Sequence, residues 1–236
     1  GGFLGGLLAV DRATGRPWFQ QLKKQDAESF KLVLTRLLRE ISKDIAHSPN
    51  AMTCTKIVWD QHKTQHSDTI EITINELNQL QNELNITPEA ARLNSNDLAV
   101  LNRTSAILHR MAHTYLSWSS LPEKFIGHAY IHTVLCYKFH PNISNTARGR
   151  GFSPYSIWTG LPTHVAMMPM PFGISALIFA RVRSKTGAID AIFIGVRDNG
   201  EFIYYSPLQS SMLYRKDAIH FMLQPPPNRM SNILLG

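Results

Sequence analysis

Apolar and polar positions first alternate, then take a helical period, then alternate again along this chain. Residues 3–10 are mostly apolar, residues 11–15 carry the turn pair Thr14-Gly15, and residues 17–22 are apolar again, which predicts a β-hairpin. From Asp26 the period lengthens. Phe30, Val33, Leu34, Leu37, Leu38, Ile41 and Ile45 recur three and four residues apart, so a long helix is expected, capped by Asp26 and stopped by Ser48-Pro49-Asn50. Residues 56–59 read as a short β-branched strand ending at Asp60. A polar loop to Asp68, a helix around residues 74–84 and an extended segment from Ile86-Thr87-Pro88 follow.

A second long helix is predicted from about Asp97 to Trp118, with Leu98, Leu101, Ile107, Leu108, Met111 and Tyr115 as its apolar line. Leu121-Pro122-Glu123 opens a third, with Ser120 as its cap, Pro122 in its first turn, and Phe125, Ala129, Val134 and Leu135 inward. A Pro-, Gly- and Met-rich connection comes next. The period then returns to two: residues 176–182, 188–196, 201–205, 212–215 and 218–223 read as five short strands separated by turns such as Asp198-Asn199-Gly200. That spacing suggests a small antiparallel barrel or sandwich. The expected division is a core over residues 1–140, a connection over 141–174, a small β-barrel domain over 175–223 and a tail over 224–236. No internal repeat is visible.

Composition narrows the class. With 44% hydrophobic and 17% charged residues, the chain is not of the disordered type. Two cysteines, Cys54 and Cys136, exclude a disulfide scaffold, and no apolar run has the length of a spanning helix. The apolar, Gly-rich start has neither the basic flank nor the cleavage site of a signal peptide, so an intracellular setting and no membrane partner are expected. The net charge of +7 is unevenly placed. Residues 1–97 hold 11 Lys and Arg against 12 Asp and Glu, residues 188–236 hold 4 of each, and residues 98–187 hold 9 Lys and Arg, 6 His and the single acid Glu123. A basic middle segment of this kind suits DNA or another polyanion, although a solvated basic face without a ligand has the same composition.

Six short motifs sharpen the reading. They are Leu101-Asn102-Arg103-Thr104, Leu121-Pro122-Glu123-Lys124-Phe125 followed by Ala129, the run from Ser153 to Gly160 with Pro154-Tyr155 and Trp158, Pro171-Phe172-Gly173, Ala191-Ile192-Phe193-Ile194-Gly195, and Arg215-Lys216-Asp217 with Phe221. In this order they resemble the copia-type LTR-retrotransposon integrases, and residues 3–97 are more loosely collinear with them. The resemblance implies an α/β fold, an RNase H-like integrase core followed by a small antiparallel β-barrel domain. It also implies DNA integration in the nucleus: phosphoryl transfer in which three carboxylates hold two Mg²⁺ ions.

Measured against that set, this chain is incomplete. Asp60 occupies the place of the second carboxylate, either as a relic ligand or as a residue that turns the chain at a strand end. The helix carboxylate should lie three residues before Asn102, where Ala99 stands. Asp97, two residues away, is about 200° round the helix and suits a cap, with ligation left open if the helix starts late. Asp11 matches an acidic turn position that is not a ligand in the family, with the alternative that it ends the true first strand. The first catalytic strand and the upstream His/Cys module have no counterpart from Gly1 onward. No stably bound Mg²⁺ or other cofactor is therefore expected, and the chain reads as inactive in strand transfer.

Weaker constellations remain. His62 and His66, near Cys54 and Asp68, and the pair His109 and His113 both have a four-residue spacing compatible with a metal, but solvated or phosphate-facing histidines fit it as well. The basic candidates for backbone contact are Arg103, Arg110, Lys124 and Lys138 on two helices, Arg148 and Arg150 in a Gly-punctuated loop, and Arg181, Arg183 and Lys185 on the first late strand and its turn. Arg103 serves equally well as a residue tying its helix to a neighbour. The functional expectation is a nucleic-acid-binding, integrase-derived fragment. The alternatives are a domesticated interaction module that kept the fold, and an integrase completed by upstream sequence. An open edge on the first strand would favour self-association.

Overall fold

A computed structural model describes residues 5–24, 26–46, 56–59, 67–84, 87–91, 96–141, 151–164, 169–182, 185–197, 200–215 and 220–222. Two compact units make it up. One comprises residues 1–108 and 134–168, the other residues 109–133 and 169–236, so the division passes through two helices.

In the first unit, β1 (Gly5–Val10) and β2 (Pro17–Leu22) form the expected antiparallel hairpin, in register from Gly5 opposite Leu22 to Val10 opposite Pro17. Asp11 builds its turn: the carboxylate accepts the Thr14 amide at 2.7 Å and the Thr14 hydroxyl at 2.6 Å. Among the described residues β1 pairs only with β2. α1 (Ala27–Ala46) starts where Asp26 accepts the Ser29 amide, a bond that also holds the Asp26 pKa below its ordinary value. Its apolar stripe divides between two clusters. Leu34 and Leu38 meet Leu77 of α2 (Ser67–Leu84), with Leu7, Ile57 and Trp59 around them, while Leu37 and Ile41 meet Trp18 and Trp158. β3 (Lys56–Trp59) and β4 (Thr87–Ala90) lie parallel, joined through α2 as a parallel pair requires.

α3 (Ala99–Ser119) and α4 (Ile126–Phe139) each contribute to both units. Ser120, expected to cap the third helix, instead ends α3 in the left-handed conformation at φ 53°. The turn over Glu123–Phe125 begins at Pro122 with no side-chain cap bond. The connection expected over 141–174 contains a short helix, α5 (Pro154–Thr159). Ser153 accepts the Ser156 amide at 3.0 Å, Pro154 fills the first turn, and Gly160 closes the helix at φ 70°.

In the second unit β5 (Ser175–Val182), β6 (Lys185–Val196), β7 (Phe202–Ser206), β8 (Ser211–Arg215) and β9 (His220–Met222) pair antiparallel in the order β8-β7-β6-β5-β9. The expected barrel is not what these strands make. β8 and β9 end on opposite edges and no pairing between them closes the sheet among the described residues. β9 is three residues long, and a register shift between Phe193 and Gly195 breaks the β6–β7 ladder locally. One face of the sheet, with Ile194 and Ile203, packs in one cluster with Ala112, Leu116, Phe125 and Ala129 of the helical segment. The opposite alternation gathers Ile174, Ala176, Ile178, Phe193 and Tyr204.

The described strands thus fall into two two-stranded sheets and one five-stranded sheet. The molecule is a mixed α/β protein with small, mainly antiparallel sheets.

Candidate nucleic-acid interface

α3 is the element that organises the candidate surface. Thr104, Leu108, Ala112, Leu116 and Ser119 are its buried line, spaced at three and four residues. Of the expected apolar line, Leu108 alone is fully buried; Leu98, Leu101, Ile107, Met111 and Tyr115 flank it half-buried. Small side chains at 104, 112 and 119 let the helix approach its neighbours closely. One close approach is at Gly173: a Cβ there would collide with the Cβ of Ser119, and the backbone sits at φ 81°.

The opposite side of α3 is open. Asn102, Arg103, Ala106, His109, Arg110, His113, Thr114, Ser117 and Trp118 are all exposed. At 100° per residue they share one broad face, and no acidic residue interrupts it. The His109 and His113 rings lie edge to face with centroids 4.4 Å apart, and His109 also faces Tyr130 at 6.1 Å. Among the described residues no three His, Cys, Asp or Glu side chains converge as a metal site.

The remaining candidates are placed differently. Lys124 is exposed, with its ammonium 5.3 Å from the Phe125 centroid and 5.5 Å from that of Tyr205. Lys138 is half-buried. Burial and then the repulsion of Arg16 lower its pKa, against the attraction of Asp44 and Glu40, and its amine lies 5.5 Å from the Phe139 ring. Arg148, Arg150, Arg183, Asp60, Cys54, His62 and His66 lie outside the described residues, as do the side chains of Arg181, Lys185, Asp68 and Asp97. Ala99 is the exposed first residue of α3. Its methyl group carries no donor atom for a cation.

Two features have little sequence signature. The first is a buried cation. Arg16 is 3% exposed, donates to the Asp44 carboxylate, and stacks 5.3 Å from the centroids of both Trp18 and Trp158. Asp44 also accepts the Trp18 indole N–H at 2.6 Å, and the two indoles meet edge to face at 5.3 Å. Burial lowers the Arg16 pKa while Asp44 opposes it, and Arg16 Nε has no hydrogen-bond partner among the described residues. The cluster ties the hairpin, α1 and α5 together. The second is Trp118, 39% exposed at the end of the open face of α3.

No protein-family model matches the sequence, and no curated protein matches it. The fold is similar to a chain in the cryo-EM structure of the simian T-cell lymphotropic virus intasome in complex with PP2A regulatory subunit B56 gamma. The identity is 13%, the match covers 90% of this chain and 72% of that one, and the TM-score is 0.42.

Proposed function

We propose that this chain is a nucleic-acid-binding relative of the copia-type retrotransposon integrases that has lost their strand-transfer chemistry. The observation that carries the reading is the outer face of α3, exposed from Asn102 to Trp118, bearing Arg103, Arg110, His109 and His113 and free of acids. A helix of 21 residues extends about 30 Å, enough to follow several phosphates of a duplex. Arginines on such a face neutralise phosphates without reading bases, so the binding is non-specific.

The family assignment rests on the six motifs in their order over residues 98–221. The buried Trp158 supports it by giving one motif a physical reason: its indole covers the Arg16 cation. The loss of chemistry rests on Ala99, since two-metal phosphoryl transfer needs carboxylate oxygens converging on both ions. A nuclear location follows from the same reading.

Fluorescence-anisotropy titration of a labelled duplex at stepped salt concentrations tests the proposal. The expected result is binding whose affinity falls steeply with salt and hardly varies between unrelated sequences. Negligible binding at low salt would contradict it and leave the interaction-module alternative.

A further inference from the structure

The open face of α3 ends in a large aromatic ring. Trp118 is 39% exposed, and among the described residues its indole makes no ring contact, whereas Trp18 and Trp158 are buried against each other. Arg110, Thr114 and Trp118 succeed one another at four-residue intervals, so the indole continues the row that begins with a guanidinium. The backbone beneath the ring is fixed. Ser119 is buried against Gly173, its hydroxyl donates to Leu116 O at 3.1 Å, and Ser120 ends the helix in the left-handed conformation. An exposed indole on a rigid element, about two helical turns beyond Arg110 and without a neighbouring acid on its face, presents a flat π surface at low conformational cost.

From this geometry we infer that Trp118 is a stacking platform for an unpaired base. The ligand of this face is then nucleic acid with a single-stranded or frayed segment, its backbone held by Arg110. A paired base has both faces covered within the duplex, so only an unpaired or extruded one is free to stack on an indole. The inference rests on the reading of α3 as a nucleic-acid surface and adds the strand state of the ligand to it. Charge complementarity favours this occupant over an apolar protein partner, because the face that ends in this ring carries Arg103 and Arg110 and no acid.

The test compares a short oligo(dT) strand with a blunt duplex of equal length, using the full chain and its Trp118→Ala, Trp118→Phe and Arg110→Ala variants. Circular dichroism confirms that each variant folds. Oligo(dT) should bind more tightly than the duplex and quench tryptophan emission. Trp118→Ala should weaken oligo(dT) binding roughly 5- to 100-fold while leaving duplex affinity unchanged, and Trp118→Phe should retain most of the binding while losing most of the quenching. Arg110→Ala should weaken both ligands. Equal effects of Trp118→Ala on both ligands, or none on either, would overturn the inference and leave the broader proposal standing. Failure of the unmodified chain to bind either ligand would overturn both. A lower sedimentation mass in Trp118→Ala, with nucleic-acid affinity unchanged, would assign the ring to self-association and also defeat the inference.

Discussion

Arg16 shows how much one residue can depend on partners far away in sequence. A buried guanidinium is tolerated because Asp44 neutralises it and two indoles cover it. Removing the counter-charge alone leaves the cation buried and unpaired. Asp44→Asn should therefore cost about 3–5 kcal/mol, read as a lower denaturant midpoint, while Arg16→Met combined with Asp44→Leu should cost less than Asp44→Asn alone. A smaller loss in the single variant than in the double would contradict this account. Nothing local in the sequence announced the cluster, because Trp158 lies 142 positions after Arg16 and only the fold brings them together. The turn after Asp11, by contrast, was legible from Thr14-Gly15, and the two bonds from Thr14 to the Asp11 carboxylate build it.

Ala99 belongs to the same scale. A methyl group cannot ligate Mg²⁺, so neither Mg²⁺- nor Mn²⁺-dependent DNA end processing or strand joining is expected from the purified chain. Ala99→Glu alone should not create it, because one added carboxylate does not complete a two-metal set. Metal-dependent strand joining that Asp60→Asn abolishes would contradict this reading.

At the scale of elements, the sequence pattern foretold most strands and helices but not how they combine. The five late strands matched their expected positions within a few residues, because period-two alternation and turn residues mark each one. The barrel did not follow, since closure depends on pairing between the edge strands, which no single strand encodes. α5 was hidden in a Pro- and Gly-rich stretch, where the same residues that suggest a loop serve as its first-turn proline and its left-handed stop. Ser153 is the buried cap of that helix and also lies within hydrogen-bond reach of the Ser156 and Thr163 hydroxyls. Ser153→Ala should cost about 1–2 kcal/mol, measured as a fall in melting temperature, with the position of Trp158 over Arg16 loosened. An unchanged melting temperature would mean that the cap adds nothing. On α3 the buried line differs from the expected one, because the small residues Thr104, Ala112 and Ser119 took places that hydrophobicity alone assigns to larger residues.

At the scale of the molecule, the stability of the second unit should depend on pH through His132. This side chain is 2% exposed among the rings of Tyr115, Phe172 and Phe193, and burial lowers its pKa to about 4. In the unfolded chain a histidine titrates near 6.5, so between those values the unfolded state holds more proton than the folded one. Stability should fall as pH drops from about 6.5 toward 4, by roughly 3 kcal/mol in total, and be constant in this term above 7. Denaturant titrations at stepped pH read the slope, and His132→Leu should remove this part of it. A variant that keeps the full slope would place the titrating group elsewhere.

The same scale holds the functional claim. The charge of this chain is concentrated between residues 98 and 187, and α3 displays part of it on an acid-free face, whereas the exposed Arg36 and Arg39 of α1 lie in the segment where acids and bases balance. The most direct measurement is the salt dependence of duplex affinity for the unmodified chain, for Arg103→Ala with Arg110→Ala, and for the charge-matched control Arg36→Ala with Arg39→Ala. All four residues are exposed, so both double variants should fold. The account predicts that the α3 variant binds more weakly and that the slope of log K against log salt becomes shallower by about 2, with the control close to the unmodified chain. Equal losses in both variants, or an affinity indifferent to the two α3 arginines, would contradict it.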